Sequence, residues 1–144
     1  MRLKFKPTSV IKARLNIEPG GKVQKFLTHT CKLHMDAYTP FREGDLAYNH
    51  VEEGVDYIHY YSPYAHYMYE GKVMGPTFPI FRNGILIGFR SPKGKPKHYT
   101  GKDITYIKSA GHEYAGPHWD QRMWTAEKDQ VLKEVQDYMN RGAK

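Results

Sequence analysis

A chain of 144 residues, 40% of them hydrophobic, has the length of one domain with one core, and its single cysteine, Cys31, excludes an internal disulfide. No apolar run approaches the ~20 residues of a membrane span, and residues 1–12, MRLKFKPTSVIK, break their apolar positions with lysine and proline, unlike a secretory signal. The sequence therefore reads as a single-domain (1–144), soluble, cytoplasmic protein with no membrane partner, whose formal charge of +7 permits nucleic-acid contact by counterion release without demanding it.

The positive excess opens the chain. Residues 1–18 read as a basic N-terminal arm carrying Arg2, Lys4, Lys6, Lys12 and Arg14. Over residues 19–38 the apolar positions Val23, Phe26, Leu27, Cys31, Met35 and Tyr38 recur at helical spacing, the stripe of an amphipathic helix facing a core. Pro19 suits its start, where a missing N–H costs nothing, and Thr39-Pro40 ends it. Cys31, on the apolar side, is expected to be a small buried hydrophobe. FREGDL then reads as a turn around Gly44, and AYNHVEEGVDY as a polar loop leading to a strand.

From there the period changes from helical to two. In VDYIHYYS, Val55, Tyr57, His59 and Tyr61 share one side and Ile58 and Tyr60 the other. YAHYMYEGKV alternates likewise, with Ala65, Tyr67 and Tyr69 opposite His66, Met68 and Glu70, and its aromatic enrichment argues a strand. At Gly71, Gly75 and Pro76 the chain is expected to leave that strand and present Lys72, Val73 and Met74 outward. In TFPIFRNGILIGFRSP the pair Asn83-Gly84 separates two apolar runs, the strongest short-range hairpin signal, because a type I′ turn needs positive φ at both central residues.

Residues 91–103 read as a basic exposed loop, ITYIKSA as a further short strand, and GHEYAGPHWDQRMW as a second aromatic loop. A helix is predicted from Thr125, with that threonine as N-cap, a stripe of Val131, Leu132, Val135, Tyr138 and Met139, and Glu127 facing water. The fold class that follows is α+β: N-terminal and C-terminal amphipathic helices packed on an antiparallel β-sheet that includes a long β-hairpin.

The chemistry-bearing residues point away from catalysis. His29 and His34 stand about 140° apart around a helix, so they do not form an i, i+4 ligand pair, and His112 with His118 and Glu113 lacks a second ligand cluster at fixed spacing. No Gly-x-Ser-x-Gly elbow is present, and EPGGK and PKGKPK lack the ending of a phosphate loop. No catalytic, cofactor-binding or metal residue is assigned, and no cofactor is expected. The tyrosines of residues 61–76 admit three readings: a base-stacking platform, weakened by the absence of Lys or Arg over residues 61–71; half-buried sheet residues with their hydroxyls at the edge; or a protein interface.

The ordered set YTPFREGDL, YSPYAHYMYEGKVMGP, the RNG hairpin, SPKGK, TGK and AGPHWDQRMW before a final helix resembles the minor capsid proteins of tailed bacteriophages, which are similar to neck and tail-completion proteins. The resemblance spans about residues 20–140; the basic N-terminal arm departs from it. It implies a non-enzymatic virion protein: a subunit that packs with copies of itself into a ring between connector or head-completion proteins and tail proteins. Genome DNA would pass through the channel without sequence recognition. Lys72, Val73, Met74, the hairpin turn Asn83 and Gly84, and one of Trp119 and Trp124 are the interface candidates. The alternative is a single-stranded nucleic-acid-binding module that uses Lys93, Lys95 and Lys97 with nearby tyrosines.

Overall fold

The computed structural model describes residues 8–41 and 45–142, so the turn expected at Gly44 and the basic residues Arg2, Lys4 and Lys6 lie outside the described residues. The elements run α1 (Thr8–Leu15), α2 (Lys22–Met35), a π-helical turn (Asp45–Asn49), β1 (Val51–Glu53), β2 (Ile58–Tyr60), α3 (Ala65–Glu70), β3 (Lys72–Gly75), β4 (Phe78–Arg82), β5 (Ile85–Arg90), β6 (His98–Asp103) and α4 (Trp119–Asn140). The class is α+β, with a helix at each end and antiparallel pairing throughout. Part of the expected basic arm is thus helical, as α1.

The helices and strands are arranged differently from the expectation. Among the described residues the strands form three separate two-stranded ribbons, β1-β2, β3-β6 and β4-β5, rather than one sheet, and α2 and α4 pack mainly on each other. Strands of three to six residues present too little apolar face to cover two long helices, so the helices bury one another. Val23 and Val135 meet at one end, where Phe26 stacks on Tyr138 with ring centroids 4.0 Å apart. Met35, Trp119, Met123 and Val131 meet at the other, which makes the pair antiparallel.

The stripe read for α2 faces the core, with Val23, Met35 and Tyr38 buried and Phe26, Leu27 and Cys31 partly buried against it, and the Cys31 thiol pKa is pushed up by desolvation. In α4 the stripe begins earlier. Trp119, Met123, Val131 and Val135 are buried at spacings of four and eight, one helical face, so the helix starts at Trp119 rather than Thr125, and Leu132 is exposed. Thr125 lies inside the helix, its hydroxyl donating to the Gln121 carbonyl at 2.9 Å. His118 occupies the N-cap position in a left-handed backbone conformation, φ 48°, without a side-chain bond to the first turn.

Residues 65–70 form α3, not a strand. Ala65, Met68 and Tyr69 share a helical face at spacings of three and four, and all three join the core formed by Leu46, Met35 and Trp119. Gly71 closes α3 in the left-handed conformation, φ 74°, its N–H donating to the Tyr67 carbonyl at 3.0 Å. Before it, the alternation read in residues 55–61 holds. Ile58 and Tyr60 pack on the core, while Tyr57, His59 and Tyr61 are exposed. Residues 104–109 carry no strand, and residues 98–103, expected in a basic loop, form β6.

Candidate functional site

Between Gly71 and Ile104 the chain leaves the helical body and returns to the same point, where the Ile104 N–H donates to the Gly71 carbonyl at 2.9 Å. The first and last strands of this excursion, β3 and β6, pair antiparallel, and the β4-β5 hairpin is nested between them. The result is one β-arm. Lys72, Val73 and Met74 lie in β3 at its base instead of projecting from a loop, and their strand is half-buried while every residue of β4 and β6 is exposed. Tyr106 and Pro117 pack at the base, where a side chain on Gly71 would meet Pro117 Cβ at 3.2 Å.

Asn83 and Gly84 turn the hairpin with φ 52° and 78°, the two positive angles that the turn chemistry requires. Cross-strand partners face the same way, so the register places Phe81 opposite Leu86 and Pro79 opposite Phe89 on one face. That face holds no charged residue. The other face pairs Arg82 with Ile85 and Phe78 with Arg90, and a bulge in β5 at Ile87 absorbs the extra residue. Phe81 is 62% exposed, Ile85 68% and Phe89 65%, and neither strand belongs to a larger sheet. The apolar residues expected within a helix-covered sheet are therefore bare. A signal was present: one face of the hairpin is wholly apolar and the other adds Phe78, Ile80 and Ile85 beside Arg82 and Arg90, more apolar surface than a strand covered on one side carries.

The sequence-derived candidates converge on this arm from both readings. Lys93 and Lys95 are exposed in the loop of residues 91–97, whereas Lys97 is tied down, its Nζ donating to the Pro76 carbonyl at 3.0 Å. Lys72 lies over the Tyr99 ring, 4.6 Å from its centroid, and 3.7 Å from Asp103. Residues 71–102 contain seven Lys and Arg and no Asp or Glu, while residues 45–70 contain five Asp and Glu and no Lys or Arg. These two adjacent stretches are therefore opposite in charge.

The two tryptophans separate. Trp119 is 3% exposed and edge-on to Tyr60 and Tyr69, so it is a core side chain and not a projecting interface anchor. Trp124, one and a half turns on, is 41% exposed at the rim of a groove of about 610 Å³. Met35, Trp119 and Met123 contribute to its lining, with Cys31, Ile58 and Tyr60 beside them. Asp120 also lines it, accepting from the Tyr69 hydroxyl at 2.8 Å. Asp120 is the one Asp or Glu among the eleven lining residues, and none of them is Lys or Arg.

The histidines have structural partners. His112 is buried, its Nδ1 donating to the Thr39 carbonyl at 3.1 Å and its ring stacked on Phe41. His29 and His34 point to different carboxylates, Glu53 for the first and Glu127 with Glu134 for the second, so Glu127 is engaged rather than simply facing water. His118 lies edge-on to Tyr69, away from His112's partners. Among the described residues, no three His, Cys, Asp or Glu side chains are grouped to hold a metal ion, and no helix is long and apolar enough to cross a membrane.

Comparison with protein-family models, curated proteins and solved structures finds no match to this chain.

Proposed function

We propose that the protein is a non-enzymatic structural subunit of a tailed-bacteriophage virion, a minor capsid or neck component that packs with copies of itself in a ring at the head-tail connection. The observation that carries this reading is the bare hairpin. Contiguous exposed apolar surface is a liability for an isolated chain and a normal feature of a subunit whose surface is covered on assembly. The arm also supplies what a ring needs, a patch distinct in place from the helical body and opposite in charge to residues 45–70, so that unlike surfaces meet around the circle. The ordered sequence resemblance to minor capsid proteins points to the same role.

The test is genetic and structural. Removing the chain from the phage that encodes it should leave filled heads and free tails that fail to join, and adding the purified protein should restore joining. Joined, infectious particles formed without it would overturn the proposal.

A second reading, single-stranded nucleic-acid binding, is favoured by one observation: exposed Phe89 and Tyr99 share the acid-free segment with Arg90, Lys93 and Lys95. It requires an affinity that falls steeply with salt and with replacement of Lys93 and Lys95. A ring subunit should show little of either.

A further inference from the structure

The hairpin and the groove at Trp124 complement each other in surface and charge, and they lie on different parts of the subunit. The hairpin offers a face made only of Pro79, Phe81, Leu86 and Phe89, with Arg82 and Arg90 on the reverse. The groove offers an apolar floor, a half-exposed indole at its rim and Asp120 at its edge. The lining of the groove includes Asp120 and no Lys or Arg, and the hairpin carries Arg82 and Arg90 within a stretch without Asp or Glu. We infer that the occupant of the groove is a second copy of this chain, whose hairpin seats its uncharged face there against Trp124. This rests on the ring reading above and deepens it by naming the two surfaces.

The contact is head-to-tail. Each copy that receives a hairpin in its groove still has its own hairpin free to give, so the association propagates until rotation closes it. The apolar face drives burial, while opposite charge orients the approach and disfavours hairpin-to-hairpin pairing, which would bring like charges together.

Cys31 lines the groove and is the only cysteine in the chain, so it serves as a built-in reporter. The full-length Leu86→Cys variant, treated with a short bismaleimide at the highest concentration it tolerates, should give a ladder of covalent multimers on a denaturing gel. Adding Cys31→Ser should abolish the ladder, and adding Trp124→Ala should reduce it at least tenfold. Lys133→Cys, exposed on α4 and outside the hairpin, should give at most a small fraction of the yield. Light scattering on the same samples separates the failures. Assembly without a Cys31-dependent ladder overturns this pairing of surfaces and leaves the ring reading standing. A chain that stays monomeric and forms no ladder also overturns the pairing, while the head-tail joining assay decides the virion reading on its own. Loss of single-stranded DNA binding in Phe81→Asp, with no self-association in the parent chain, would assign the hairpin to nucleic acid instead.

Discussion

His34 of α2 holds Glu134 of α4 at 2.7 Å through Nε2, and its Nδ1 reaches Glu127 at 2.9 Å, so one ring ties the two main helices together. Both nitrogens can donate to carboxylates only in the imidazolium form. Burial opposes that charge, yet the two carboxylates outweigh it and the His34 pKa is raised. Glu134 is correspondingly lowered, chiefly by its hydrogen bond to His34.

The sign of the pH dependence follows. The raised His34 contributes stability that is fully present below the ordinary histidine value of about 6.5 and is lost as pH rises through its raised folded value. The depressed Glu134 contributes stability present above the ordinary glutamate value of about 4.3 and lost as pH falls through its lower folded value. The clamp is strongest between those two ordinary values. Thermal melts across pH 4 to 9 should show it, and His34→Gln should flatten the profile at a cost of about 1 kcal/mol, since the carboxylates are partly solvated. An unchanged profile in the variant would remove the clamp as its origin.

The two tryptophans predict a contrast. Trp119→Ala empties a core site and should cost about 3–5 kcal/mol in urea unfolding, whereas Trp124→Ala should stay within about 0.5 kcal/mol for the monomer. Met123→Ala against Leu132→Ala should repeat the contrast at about 2–5 kcal/mol and about 0.5 kcal/mol or less, because Met123 is buried and Leu132 exposed.

Gly71→Ala should destabilise by about 1–2 kcal/mol, combining a left-handed backbone with a close approach to Pro117. Gly84→Ala meets no neighbour, so it carries the backbone cost alone, about 1 kcal/mol. Chemical denaturation of both variants measures the difference.

Arg122 fastens the loop before α4, donating from Nη2 to the Tyr114 carbonyl at 2.8 Å and from Nη1 to the Pro117 carbonyl at 3.3 Å, and its guanidinium lies over Tyr38. Arg122→Ala should cost about 1–2 kcal/mol, and amide exchange should speed up over residues 111–118 rather than throughout the chain.

The sequence was most legible where one local rule settled the outcome. The stripe of α2 named its buried side, and Asn83-Gly84 named its turn, because helical spacing and turn chemistry act over a few residues. Residues 65–70 misled because Ala65, Met68 and Tyr69 fit a short helix as well as Tyr67 and Tyr69 fit an alternating strand, and aromatic content tipped the choice toward strand. Gly71, a left-handed C-cap, was the overlooked signal for helix. The first six residues of α4 were hidden in an aromatic loop, although Trp119 and Met123 share one helical face with Val131 and Val135. The hairpin's exposure was hardest to read, since apolar residues bound for a neighbour's surface look the same in sequence as those bound for the chain's own core.

The hydrogen bond between Ile104 and Gly71 makes the arm an insert with a single doorway. Everything between those residues can be shortened to a tight turn without rerouting the helices, so trimming it should leave a folded but non-associating body. The same doorway lets the arm diverge in length and character while the body stays fixed, so new neighbours can be acquired by changing one continuous stretch of the gene.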